Sequence, residues 1–194
     1  MKEVQIYLCR HGETAWTLSG QHTGVTDIPL TENGKEQAVL LGDRLQKVHF
    51  TKVFSSPRIR ALETCKIAGF KDVTLDSDLQ EVNYGKYEGL TRNEIRKTDP
   101  NWHLFVNGAP SGETLAAASA RADRFLSHLK ALQGNIAIFS HGHFSRILAL
   151  RWLGLETSLG RFFSLAPASL SILSFERETP VIKLWNDLSH LSKE

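Results

Sequence analysis

Hydrophobic and polar positions change their spacing along the chain, and each change marks an element. Val4 to Cys9 is an apolar, partly β-branched run that predicts a buried strand. Residues 12–30 are polar and carry Gly12, Gly20, Gly24 and Pro29, which predicts a loop with one short helical turn. Thr31 suits an N-cap, and from Glu32 to Lys47 the residues Ala38, Leu41 and Leu45 recur at helical spacing. Lys52 to Ser55 reads as a short strand leading into Ser56-Pro57, an N-cap followed by proline at the first helical position. That helix runs through Ala61, Leu62, Cys65 and Ala68 to Gly69, and Val73 to Leu75 forms a third strand. Leu79 to Gly89 is irregular, and Thr91 to Lys97 is a short helix stopped by Pro100. Residues 99–112, rich in Pro, Gly and Asn, read as a loop or lid. Glu113 to Leu132 is a long amphipathic helix, Asn135 to Phe139 a very apolar strand, and Phe144 to Leu153 a helix stopped by Gly154. Leu170 to Glu176 and Val181 to Trp185 form two strands with a turn at Thr179-Pro180.

Strands alternating with helices predict an α/β fold: a three-layer α/β/α sandwich on a mostly parallel sheet, with an antiparallel edge strand from a terminal hairpin. The 194 residues suit one domain spanning 1–194, with a short lid or cap around 85–112. Hydrophobic residues make up 41% and charged residues 23%, which is ordinary for a globular protein. The net charge of +2 is too small to point to nucleic acid or a membrane surface. Cys9 and Cys65 read as small core residues, consistent with a reducing compartment. Lys2 and Glu3 precede only a short apolar run, unlike a signal peptide or a membrane span, so a soluble, cytoplasmic protein is expected. The oligomeric state stays open, a homodimer included.

The candidate chemistry sits at strand ends. Arg10-His11-Gly12 follows the first strand and His141-Gly142-His143 the later one. In an open α/β sheet ligands bind beyond the carboxyl ends of the strands, so both imidazoles would face one crevice. A guanidinium fork matches phosphate oxygens, and histidine can form covalent intermediates. Arg58 and Arg60 at a helix start, and Arg146 after His141, could complete an anion pocket. Glu81 supplies a proton donor for a leaving oxygen. These parts suggest phosphoryl transfer. A strand end carrying a solvated Arg-His pair is the plain alternative for the first motif.

The sequence Leu8-Cys9-Arg10-His11-Gly12-Glu13-Thr14 resembles the R-H-G signature of the histidine phosphatase superfamily, the phosphoglycerate mutase-like proteins. Ser19 to Gly24 with Asp27 to Thr31 resembles its substrate loop, and Ser55 to Ala61 its second-arginine motif, with Arg60 in the matching place. Leu79-Gln80-Glu81 with Tyr84-Gly85 and Glu88-Gly89 is similar to its acidic motif, and Ser140-His141-Gly142 to its second-histidine motif. Asn186-Asp187 and His190-Leu191 also fit.

The resemblance implies a phosphoglycerate mutase-like fold and a phosphatase that needs no metal or other cofactor. His11 would become phosphohistidine. Arg10, Arg60 and His141 would hold the phosphoryl oxygens, and Glu81 would protonate the leaving alkoxide and then activate water. One His11 nitrogen would attack while the other donates to a backbone carbonyl. Phosphoglycerate mutases carry a longer insertion than the Asn93–Ser111 stretch found here, which favours water over a second substrate as acceptor. The loop and Arg146 look closest to the sedoheptulose-1,7-bisphosphatase branch, which has tyrosine where this chain has His22. Arg92 falls where relatives place a cation for the substrate's other acidic group. Gln21, His22, Thr23, Gly24, Arg58, Tyr84, Arg92, Gly142 and Arg146 are therefore the candidate substrate-binding residues, for a phosphorylated small molecule such as a sugar phosphate. A cofactor-dependent mutase and a broad-specificity acid phosphatase are the alternatives.

Plain readings accompany several of these residues. His141 and His143 form an H-x-H pair, but no acidic or thiol partner lies near in sequence for a metal. His22 could be a solvated loop residue and Arg58 a surface one. Tyr87 reads as packing, and Tyr84 as a site wall. Trp16 and Trp102 could line the mouth or cover the core. His49, His103, His128 and His190 are expected to do structural work or none.

Overall fold

The computed structural model describes residues 4–192, so Lys2 and Glu3 lie outside the described residues. Strands β1 (Gln5–Arg10), β2 (Phe50–Ser55), β3 (Thr74–Leu75), β4 (Asn135–Ser140), β5 (Leu170–Glu176) and β6 (Thr179–Asp187) form one sheet in the order β3-β2-β4-β1-β5-β6. The pairings β2·β3, β2·β4 and β1·β4 are parallel, whereas β1·β5 and β5·β6 are antiparallel. The predicted mixed sheet with a C-terminal hairpin at one edge is the observed one.

Two cores lie on opposite faces of this sheet, because side chains alternate along a strand. Ile6 and Leu8 of β1 and Ile136 and Ile138 of β4 join one core, which Phe125 and Phe144 fill from α6 (Leu115–Leu129) and α7 (Gly142–Trp152). Cys9, Ala137 and Phe139 join the other, with Leu41 and Leu45 of α2 (Glu32–Leu45) and Cys65 of α3 (Ile59–Ile67). Helices therefore cover both faces, as a three-layer sandwich requires. The expected N-cap Thr31 accepts a hydrogen bond from the Gly34 N–H at 3.0 Å. The short turn foreseen in the first loop is α1 (Ala15–Ser19).

Three local expectations are corrected. Ser56 is not the N-cap of α3, and Pro57 is not its first residue; the helix begins at Ile59 with Arg58 as its cap residue. Asp27 accepts the Ile59 N–H at 2.8 Å, so the cap comes from a distant loop that local sequence cannot reveal. The final turn falls at Arg177, whose φ is +56°, and Pro180 lies inside β6, on the sheet edge where a missing N–H is tolerated. Residues 99–112 carry a helical turn, α5 (Leu104–Asn107), after α4 (Arg92–Thr98). Trp102, Leu104 and Phe105 are buried there, and these apolar anchors outweigh the loop-like composition. Among the described residues no helix is long and apolar enough to cross a membrane.

Candidate active site

Strands β1 and β4 are neighbours in register, Arg10 opposite Ser140, so His11 and His141 leave the sheet side by side. The His11 N–H donates to the Ser140 carbonyl at 3.0 Å, and the two rings meet edge to face with centroids 5.3 Å apart. Parallel pairing of two strands far apart in sequence thus creates the expected pair of facing imidazoles.

The surroundings of His11 fix its chemistry. Nδ1 lies 2.7 Å from the Gly12 carbonyl, which can only accept, so Nδ1 carries the proton and Nε2 keeps a lone pair. Burial, then Arg60 and Arg10, hold its pKa well below the usual imidazole range, so the ring stays neutral near pH 7. Gly12 cannot carry a side chain, since a Cβ would come within 2.5 Å of the Gly34 carbonyl oxygen. His141 is fully buried, and burial followed by Arg60 lowers its pKa likewise. Its Nε2 is 2.8 Å from Ser56 Oγ.

Two arginines are locked by backbone carbonyls. Arg60, wholly buried, donates to Thr26 and Thr23 at 3.0 Å and to Gly24 at 3.1 Å. Glu88 secures that loop from the other side, accepting the Gly24 N–H at 2.9 Å and the Thr26 N–H at 3.0 Å. Arg10 donates to the Leu165 carbonyl, and its guanidinium lies against Gly142, where a Cβ would sit 3.1 Å from Cζ. The segment after Leu165 is tied back to the site, because the Ala168 N–H donates to the His11 carbonyl at 2.9 Å. Asn186 accepts the Ala166 N–H at 2.7 Å, so the C-terminal motif acts as a brace.

Arg10 Nε, Arg60 Nε and His141 Nδ1 are all buried with no hydrogen-bond partner among the described residues. Buried polar atoms are nearly always paired, so this cluster matches an anion that supplies the missing acceptors.

The Glu81 carboxyl accepts the N–H groups of Val82 at 2.9 Å, Phe144 at 2.8 Å and His143 at 3.0 Å. The last two belong to the first turn of α7, whose positive end suits a carboxylate. Arg121 fixes the approach to Glu81, donating to the Gln80 carbonyl at 2.8 Å and pairing with Glu113 at 2.8 Å.

A cleft of about 180 Å³ opens over these groups, lined among others by Arg10, His11, Gln21, His22, Thr23, Glu81, Tyr84, Gly142 and Arg146. Trp16 lines it as well, and Tyr84 donates toward or accepts from His143 Nδ1 at 2.6 Å. His22 is no solvated loop residue: its ring packs 4.9 Å from Tyr84 and 5.2 Å from Trp102. Arg60 and His141, both buried, are not among the residues that line the cleft. Gly24 serves through its backbone, since a Cβ there would meet the Val82 carbonyl at 2.4 Å. Arg58 does not line the cleft, and Arg92 lines a neighbouring one. Tyr87 packs against Trp102 at 5.2 Å, as expected. Among the described residues no cluster of three or more His, Cys, Asp or Glu could hold a metal ion. Sequence reasoning gave no site role to Ser56, Glu88, Arg121, His103 or Arg161; only Ser56 and Glu88 carried a signal, their places in the second-arginine and acidic motifs.

A family model described as the histidine phosphatase superfamily, branch 1, matches residues 6–188. An acid phosphatase of Mycobacterium tuberculosis is 40% identical over 182 residues, covering 91% of this chain and 89% of the relative. A sedoheptulose 1,7-bisphosphatase of Saccharomyces cerevisiae is 34% identical, covering 76% and 67%. A protein named as a probable phosphoglycerate mutase in Salmonella choleraesuis is 31% identical, covering 97% and 95%. The crystal structure of a phosphoserine phosphatase from Entamoeba histolytica, in complex with 3-phosphoglyceric acid, superposes with a TM-score of 0.85 at 32% identity, covering 97% and 100%. The chain belongs to the histidine phosphatase superfamily, branch 1, and is a phosphoric monoester hydrolase.

Proposed function

We propose that the esters hydrolysed are phosphorylated carbohydrates and that the phosphoryl group passes through a phosphohistidine at His11. The observation that carries this reading is the trio of unpartnered buried donors, Arg10 Nε, Arg60 Nε and His141 Nδ1, gathered beside a His11 whose Nε2 lone pair is free. In the first step Nε2 attacks phosphorus and the bond to the ester oxygen breaks. Glu81 hands its proton to that oxygen, and three N–H groups hold the carboxylate that remains. In the second step water attacks the phosphohistidine, Glu81 takes the water's proton, and phosphate departs. Arg10, Arg60 and His141 hold the phosphoryl oxygens in fixed positions throughout, so little reorganisation accompanies the build-up of charge.

The cleft wall supports a polar substrate. Gln21, Thr23, His22 and Tyr84 offer hydrogen-bonding groups on an aromatic frame, suited to hydroxyls and a sugar ring. The segment 85–112 serves as the cap, with His103 and Leu104 bordering the neighbouring cleft. A cytoplasmic location accompanies a substrate of this kind. The Salmonella relative keeps a mutase reading testable, by a coupled assay with phosphoglycerate and its bisphosphate cofactor.

Phosphate release from p-nitrophenyl phosphate and a panel of sugar phosphates, all in EDTA, tests the proposal. His11→Ala is expected to lose about a thousandfold or more in kcat while its circular dichroism is unchanged. Retained turnover in that variant would overturn the assignment.

A further inference from the structure

Ser56 follows β2 as His141 follows β4, and these parallel strands are neighbours with Ser55 opposite Phe139. The Ser56 N–H donates to the Phe139 carbonyl at 3.0 Å, and the Ser56 carbonyl accepts Ser55 Oγ at 2.9 Å. The sheet order places β4 between β2 and β1, so the His141 ring meets Ser56 from one neighbouring strand and His11 from the other. Ser56 and His141 are both fully buried, so bulk water cannot complete their hydrogen bonds.

Among the described residues Ser56 Oγ makes two contacts. It accepts the Arg58 N–H at 3.3 Å and lies 2.8 Å from His141 Nε2. The first contact closes a serine turn over Pro57, which has no N–H of its own, and so pins the oxygen. A hydroxyl has one hydrogen and two lone pairs, and a neutral imidazole has one N–H and one bare nitrogen. Burial, then Arg60, His11 and Arg10, keep the His141 ring neutral. Two arrangements remain. With the proton on Nε2, the Ser56 hydrogen has no acceptor and Nδ1 is a buried lone pair without a donor. With the proton on Nδ1, the Ser56 hydroxyl donates to Nε2, and the Nδ1–H is the one group left unmet. Each orphaned buried group is costly, so the second arrangement is favoured.

We infer that Ser56 donates to His141 Nε2 and thereby keeps the ring's proton on Nδ1, the atom that then donates to a phosphoryl oxygen. The inference rests on the reading above, in which His141 holds that oxygen, and adds Ser56 to it as a positioning residue. It gives two like rings opposite tasks. In His11 the Gly12 carbonyl engages the Nδ1 proton and leaves a lone pair on Nε2. In His141 the Ser56 hydroxyl engages the Nε2 lone pair and leaves an N–H. One ring is a nucleophile and the other a donor. The other tautomer of His141 would turn a lone pair toward the phosphoryl oxygen and repel it.

Nitrogen-15 spectra of the phosphate-free enzyme, labelled at histidine, test this. In wild type His141 should show a protonated Nδ1 and a bare Nε2. Ser56→Ala should show a mixture of both neutral tautomers, with kcat on p-nitrophenyl phosphate about tenfold lower, the worth of one hydrogen bond. Ser56→Thr keeps a hydroxyl and should recover both the tautomer and most of kcat. A merely structural role for Ser56 would alter stability and leave the tautomer alone. An Nε2–H ring in wild type, or a Ser56→Ala ring that stays wholly Nδ1–H, overturns the inference. The wild-type spectrum decides even where a variant folds poorly. An Nδ1–H ring together with turnover that survives His11→Ala would sink the phosphohistidine reading and leave the Ser56 assignment standing. An Nε2–H ring with turnover lost in His11→Ala would do the reverse.

Discussion

Acidification should destabilise this protein through its two facing histidines. His11 is 3% exposed and His141 is fully buried, and both have pKa values well below the usual 6.5. In the unfolded chain each titrates near its ordinary value of about 6.5. The sign follows from linkage: the unfolded state binds protons that the folded state refuses, so stability falls as pH falls. The contribution is complete above about pH 6.5 and is lost progressively below it, down to the depressed folded values. Each ring removes at most about 1.4 kcal/mol per pH unit in that window. Against a typical stability of about 5–15 kcal/mol that loss is large.

Urea unfolding of wild type and His11→Asn at pH 7, 6 and 5 measures this. The variant lacks one titrating ring, so its stability should fall less steeply, by about 1.4 kcal/mol per pH unit at most. Inorganic phosphate should flatten the wild-type slope, because an anion between the rings favours their protonated forms. Parallel slopes for the two proteins would refute the claim that His11 is held neutral by its surroundings.

Further predictions follow from particular contacts. Glu81→Gln should slow alkyl phosphates by about a hundredfold or more and aryl phosphates far less, since a good leaving group needs little protonation; equal losses in kcat count against the acid role. Glu88→Gln weakens the tether on Gly24 and Thr26, whose carbonyls aim Arg60, and should reduce kcat about tenfold with an unfolding cost of about 1–2 kcal/mol. Gly142→Ala places a Cβ 3.1 Å from Arg10 Cζ, in the first turn of α7. Thermal stability should hold, because alanine favours helix, while kcat falls about tenfold or more from a displaced guanidinium.

The legible parts of this fold were those set by local pattern. The apolar runs in Gln5–Arg10 and Asn135–Ser140 reveal two central strands, and the imidazoles that follow them reveal the candidate site. Arg60 and Glu81 were legible because their motifs recur within a family, not because their spacing dictates their positions. What escaped was carried by contacts between distant segments. Asp27 caps α3 across 32 residues, and Glu88 reaches the 24–26 loop across more than 60. Arg161 has no local signal, since only the packing of its turn beside α5 brings it to a cleft.

The same long-range contacts explain how the site tolerates its charge. Arg10 and Arg60 meet no carboxylate directly, yet both are deeply placed, and burying a charge is costly without polar partners. Backbone carbonyls of Leu165, Thr23, Gly24 and Thr26 supply those partners. Each carbonyl is in turn held from outside, the loop by Glu88 and the 165–169 segment by Asn186. Each guanidinium group is therefore solvated by the fold and keeps an unpartnered Nε among the described residues. On the reading proposed above, a phosphoryl group that enters relieves with its negative charge the mutual repulsion of Arg10, Arg60 and Arg146. Substrate binding and stabilisation of the buried cations are, on that reading, one interaction.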